Sequence, residues 1–160
     1  MSKTIHMTLD PASIQAAIRE IEAYKKWVLQ KTQQLAQRLA EMGAVLASIE
    51  YSRVPYTGAK DVSVDVVDMG ENKFAIVAGG ATVLILEFGA GIKYGKGHPL
   101  ESEMGMGAGT YPGQTHALDP NGWYSPGGEH TYGNPPAMAM YLTGKELHDR
   151  VFEVAKEVFQ

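Results

Sequence analysis

The chain has 160 residues, a net charge of −4 and no cysteine, which corresponds to about one domain and excludes disulfides, thiolate metal sites and cysteine nucleophiles. An acidic chain is a poor candidate for nucleic-acid binding, because contacts with phosphate require a basic surface. No apolar run approaches the ~20 residues of a membrane span, and the N-terminus lacks the apolar core of a secretory signal. We therefore expect a protein that is made in a cytoplasm and contacts no membrane.

The N-terminal third of the chain predicts a short strand or arm at residues 1–9 and then one long helix within residues 10–54. Asp10 and Pro11 have the N-cap side chain and the first-turn proline of a helix start. Apolar residues then recur at every seventh position, at Ile14, Ile21, Val28, Leu35, Met42 and Ile49. Unbroken, this helix would be on the order of 60 Å long and would exceed the width of a domain of this size. Two helices broken at Gly43 are the alternative.

Residues 61–88 predict an antiparallel β-meander. Valine alternates with polar residues over 61–68, and two further strands follow at 73–78 and 81–88, separated by short turns. The third strand is apolar on both faces, which is typical of a central strand in a three- to four-stranded sheet. Glu87 is a carboxylate inside this apolar run. We expect it either to reach water at a strand end or to pair with a neighbouring subunit, because an unpaired buried charge is costly.

Residues 89–136 predict an extended loop with no helix or strand. They contain 12 of the 18 glycines and six of the 8 prolines, but few aliphatic side chains, so little apolar burial offsets the entropy lost on ordering the backbone. The aromatic residues that we expect to contact a partner are Tyr111, Trp123, Tyr124 and Tyr132. We expect residues 93–133 to be mobile in the free subunit and ordered on assembly. The alternative is a loop folded back over its own sheet, with Trp123 as a satellite core residue.

The last segment, 137–159, predicts a helix that packs on the sheet. A proline pair precedes it, and its apolar stripe comprises Met140, Leu147, Val151, Val154 and Val158. The expected core joins this stripe to the inward-facing residues of the strands, namely Val62, Val64, Val66, Phe74, Ile76, Val83 and Ile85. The predicted fold class is α+β, with residues 1–160 forming a single domain.

No arrangement of residues predicts catalysis, a metal or a cofactor. The loop holds three histidines and several carboxylates, at His98, His116, His130, Glu101, Glu103, Asp119 and Glu129, without the spacing of a metal site. The glycines at 89–91 are not followed by a helix start, which a nucleotide-phosphate site requires, and the glycines at 105–109 have no strand before them. No serine has the surroundings of a nucleophile elbow. We expect a protein that is not an enzyme.

Three segments in order carry a resemblance to a known family. They are LEFGAGI (86–92), GMGAGTYPGQTHALDPNGWY (105–124) and TYGNPPAMAMYLTGKEL (131–147), the last leading to a helix that ends in AKEVF (155–159). Together with the long N-terminal helix, they resemble the tail-completion proteins of the head–tail neck of long-tailed double-stranded DNA phages. The chain departs from that pattern at Ala90, where many members have threonine or serine, and in its longer loop.

The resemblance implies a structural virion protein without catalytic activity. It implies one subunit of a homo-oligomeric ring that completes the tail, joins it to the head and contacts the neighbouring rings of the neck, after assembly in the host bacterial cytoplasm. DNA would pass through the channel without sequence-specific binding, and a negative lumen would not retain it. A tail-terminator or head-closure ring of the same neck is the main alternative. A carbohydrate-binding module that stacks Trp123 and the loop tyrosines on sugars is another.

Overall fold

The computed structural model describes residues 4–56, 58, 60–107, 109–110, 115–125 and 127–160. The fold is mixed helix and sheet, as expected for the α+β class. Its elements are α1 (Pro11–Arg53), β1 (Ser63–Asp68), β2 (Phe74–Gly79), α2 (Val83–Phe88), α3 (Gly91–Tyr94), β3 (Trp123–Tyr124), β4 (His130–Thr131) and α4 (Ala139–Phe159). The predicted three- to four-stranded sheet is wrong. The described strands form two antiparallel sheets of two strands each, β1–β2 and β3–β4.

The long N-terminal helix is confirmed as the unbroken 43-residue helix α1. Its start follows the sequence signal, because the Asp10 side chain accepts a 2.9 Å hydrogen bond from the backbone N–H of Ser13. Gly43 does not break the helix. A Cβ at Gly43 would overlap with Ile76 and lie 2.8 Å from Leu147 Cδ1, so this glycine permits close packing of α1 on β2 and α4. The predicted strand before the helix is absent from its described part, 4–9.

The hairpin β1–β2 forms as predicted, with Val64 opposite Ala78 and Val66 opposite Ile76. The predicted third strand is wrong, because residues 83–88 form the short helix α2. A short apolar run cannot distinguish a buried strand from a buried helix by its pattern. Here the helix buries three consecutive side chains, at Leu86, Glu87 and Phe88.

The predicted loop, 89–136, contains local structure that its composition did not indicate. Helix α3 directly follows Gly89-Ala90, β3 and β4 form a small hairpin, and Ala90 forms an isolated bridge with Asn134. The backbone N–H of Ala90 donates to Asn134 O at 2.9 Å and that of Asn134 donates to Ala90 O at 3.1 Å. The two ends of this long segment are therefore held together on the body of the protein.

Helix α4 packs mainly along α1, in the opposite direction, and not across the sheet as predicted. Arg38 and Glu157 form an ion pair at 2.6 Å, and Trp27 and Phe159 contact edge to face. The first turn of α4 contributes Met140 to a core cluster against which Val62, Val64 and Ala78 also pack. That cluster consists of Tyr51, Val54, Leu86 and Ala139. No helix in the described ranges combines the length and hydropathy needed to cross a membrane.

Candidate assembly surfaces

Glu87 lies at the centre of the molecule and fixes the start of α4. Its carboxylate accepts hydrogen bonds from the backbone N–H groups of Met140, at 3.1 and 3.2 Å, and of Tyr141, at 3.2 Å. These two groups belong to the first turn of α4, whose own N-cap residue, Met138, makes no side-chain bond. A carboxylate at this position satisfies N–H groups that the helix itself cannot pair and complements the helix dipole. Glu87 therefore caps α4 from a distant part of the chain.

Two further side chains complete the enclosure of Glu87. The Tyr51 hydroxyl donates to Glu87 Oε2 at 2.9 Å, and His98 Nε2 lies 3.3 Å from Oε1. The backbone N–H of Leu100 donates to His98 Nδ1, so Nε2 carries the proton of the neutral ring and donates to Glu87. Burial, and then the negative charge of Glu87, raise the pKa of Tyr51 above its usual value.

This geometry corrects one of the two sequence-based expectations for Glu87. The residue is 5% exposed, so it does not reach water at a strand end. Its role as a contact with a neighbouring subunit stays a prediction, and within its own chain the carboxylate accepts hydrogen bonds from Tyr51, Met140 and Tyr141. Sequence reasoning also missed Tyr51 and His98 as its partners. Their separations along the chain, 36 and 11 residues, produce no local signal.

The glycine-containing turn after α2 packs against the Trp123 ring at Gly91. Gly91 has a φ of +81°, and a Cβ there would overlap with the carbonyl oxygen of Tyr132 and lie 3.1 Å from Trp123 Cη2. Only glycine combines this left-handed conformation with such a close approach. Trp123 is therefore half-buried against Gly91 of its own chain. Its role as a partner contact stays a prediction.

The remaining aromatic residues of the predicted contact set differ in their surroundings. Tyr124 is exposed and packs edge to face with His130, which also contacts Tyr132. The ammonium group of Lys93 lies 3.9 Å from the centre of the Tyr132 ring, a cation–π contact. Tyr111 lies outside the described residues. Tyr124 and Tyr132 thus share one exposed aromatic surface, while Trp123 lies beneath it.

A cavity of about 490 Å³ adjoins this aromatic surface. Its walls include Tyr56, Ile85, Ala90, Ala117, Trp123 and Asn134. The Asn134 amide donates to Ile85 O at 3.0 Å, which is a structural role. In the described part of the chain, no hydroxyl on the cavity wall bonds to a histidine or a carboxylate. Nor do the described residues contain a group of three potential metal ligands.

The N-terminal part of α1 forms the most prominent surface. Helix α4 ends at Phe159, which contacts Trp27, so residues 11–26 extend beyond α4 by about 24 Å. We call residues 11–26 the arm from here on; the name does not include residues 1–9. Ile14, Ile18 and Ile21 are exposed along it. At 100° per residue, they lie on the same side of α1 as Gly43, which contacts β2 and α4. The apolar side of α1 therefore continues past the end of α4 with Ile14, Ile18 and Ile21 exposed, although Ala17 in the same stretch is buried.

Comparison with known proteins gave no relative. No protein-family model matches the chain, and neither a curated protein nor a solved structure is significantly similar to it.

Proposed function

We propose that this chain is a structural subunit of the head–tail neck of a long-tailed phage, where copies form a ring that completes the tail and leaves a channel for DNA. The three segments quoted above, at 86–92, 105–124 and 131–147, suggest the family. The main support for the proposal is the arm. A 43-residue helix whose exposed apolar residues extend beyond the rest of its domain is typical of a protein that packs against other subunits. A strict stripe at heptad-like spacing is the pattern of a helix-packing seam.

The size of this surface fits an assembly subunit better than a stable dimer. Specific interfaces bury roughly 800 Å² per partner, and three isoleucines on one helix supply only part of that area. Tyr124 and Tyr132 provide a second exposed surface, and buried aromatic residues contribute strongly to interfaces. Several small contacts per subunit suit a ring that closes on a neighbouring layer of the neck through heterologous contacts.

A deletion of the coding sequence from the phage or prophage tests the role. Filled heads and complete tails that fail to join support tail completion. Overlong tails would indicate a tail terminator, and heads that lose DNA would indicate a head-closure ring. Normal joined particles would contradict any neck function.

A matched pair of variants tests the arm. Ile18 is 49% exposed and Val45 is 59% exposed on another side of α1, so we expect either change to glutamate to alter stability by less than about 1 kcal/mol. Ile18→Glu should prevent joining of heads and tails, whereas Val45→Glu should permit it. Equal particle yields from the two variants would show that the arm has no role in assembly.

A further inference from the structure

Among the described residues, neither outer edge of the hairpin β1–β2 has a backbone partner. Within the described chain, the backbone of residues 63–68 and 74–79 makes hydrogen bonds only between the two strands. The free edge of a strand presents a row of unpaired N–H and C=O groups, which is a template for pairing with another strand. A sheet of only two strands has such a row on both sides.

The register identifies the groups that point outward. The backbone N–H of Met69 donates to Lys73 O at 2.9 Å, so Met69 and Lys73 form a hydrogen-bonded pair. Hydrogen-bonded and non-hydrogen-bonded pairs alternate along an antiparallel ladder. The outward N–H and C=O groups therefore belong to Phe74, Ile76 and Ala78 on β2, and to Val64, Val66 and Asp68 on β1.

The two edges differ in charge. β2 has the sequence FAIVAG. It contains neither a charged residue nor a proline, the residues that commonly protect an edge strand from pairing. β1 has the sequence SVDVVD and contains two aspartates, Asp65 and Asp68. Pairing β1 with β1 of another copy would place like charges together. Pairing β2 with β2 would leave every β1 edge open.

We infer that β2 of one copy pairs with β1 of the next copy, so that the hairpins of a ring form one continuous antiparallel sheet. This inference rests on the proposed ring and names the contact within it. In this arrangement the two strands at each junction are antiparallel, as within the hairpin, and the start of β2 lies beside the end of the neighbouring β1. Lys73 then approaches the neighbour's Asp68, which adds an attractive pair. Repetition around a closed ring leaves no edge unpaired.

The free subunit provides the first test, by residue-resolved hydrogen exchange. We expect the amides of Ala75 and Val77 to exchange slowly, because they bond to β1. Those of Phe74, Ile76 and Ala78 should exchange faster by about tenfold or more, because their hydrogen bonds are made only with water. Uniform protection along β2 would show that its edge is already covered and would overturn the inference.

Photo-crosslinking in cells that assemble particles provides the second test. A photoreactive benzoylphenylalanine replaces Val77, which is exposed on the outer face of β2, with the same replacement at Val45 as the control. We expect a crosslinked dimer of the chain whose joined peptide contains residues 63–68, and no such product from Val45. A product joined through 74–79 of both copies, a product with a different protein, or no product would each overturn the inference. The proposed function is tested separately by the deletion phenotype, which does not depend on this contact.

Discussion

The Tyr51 hydroxyl donates a 2.9 Å hydrogen bond to the carboxylate of Glu87 and so joins the last turns of α1 to α2. The same carboxylate caps α4 through the N–H groups of Met140 and Tyr141. Three helices thus share one buried acceptor. The carboxylate therefore links three elements that lie far apart in the sequence.

The first prediction concerns this shared acceptor. Glu87→Gln leaves one side-chain oxygen for several donors and turns an amide group towards them, so we expect a loss of about 3 kcal/mol of unfolding free energy. Tyr51→Phe should cost about 2 kcal/mol. The double variant should lose less unfolding free energy than the sum of the losses in the two single variants, because the two residues are in contact. Urea unfolding measures all three, with the exposed Tyr24→Phe as the control. Additive losses would contradict the coupling.

The second prediction concerns alkaline pH. Burial and the nearby Glu87 raise the pKa of Tyr51 above its usual value of 10.0, so above that pH the folded state retains a proton that the unfolded state has released. This contribution to stability is complete below about pH 10 and declines above it by up to about 1.4 kcal/mol per pH unit. The advantage of the unaltered chain over Tyr51→Phe should therefore shrink between about pH 9 and about pH 11. A constant difference would contradict the raised pKa.

The third prediction compares two glycines of nearly equal conformation. Gly91 has a φ of +81° and Gly128 a φ of +82°, but a Cβ at Gly128 would meet nothing within 4 Å. Gly128→Ala should cost only the left-handed backbone penalty, about 1 kcal/mol. Gly91→Ala adds the overlap with the Tyr132 carbonyl oxygen and a tight contact with Trp123, so we expect about 3 kcal/mol or more and a shifted indole signal of Trp123 by NMR. Equal costs would show that Trp123 does not rest on Gly91.

The sequence predicted those elements whose signals are local. The seven-residue repeat and Asp10-Pro11 predicted α1, and the alternation over 61–68 predicted β1. Helix α2 was missed because its run of apolar residues has no period that separates a strand from a helix. The helix is linked through Glu87 to Tyr51 and Met140, which are distant in the chain and meet it only in the folded molecule.

The candidate site was predictable to a smaller extent. The aromatic content of the loop singled out Trp123, Tyr124 and Tyr132 as partner contacts, which stays a prediction, and it did not indicate which of them is covered by its own chain. That distinction depends on Gly91 and on the bridge between Ala90 and Asn134, a contact between the two ends of the segment. A glycine-rich composition indicates freedom of the backbone and cannot specify which distant residues will meet.

The last prediction tests the face of α4 that packs on α1. The predicted apolar stripe of α4 included both Val151 and Val154. Val151 is 39% exposed, whereas Val154 is 7% exposed. The buried side of α4 carries Thr143, Val154 and Val158, and this is the side that packs on α1. Val154→Asp buries an unpaired charge, at a cost of several kcal/mol against a total stability of ~5–15 kcal/mol. We expect it to yield little soluble folded protein. Val151→Asp keeps its carboxylate in water and should lower the unfolding free energy by about 1 kcal/mol or less. Thermal unfolding and soluble yield compare the two. A stable Val154→Asp, or an unfolded Val151→Asp, would reverse the assignment of the packed face.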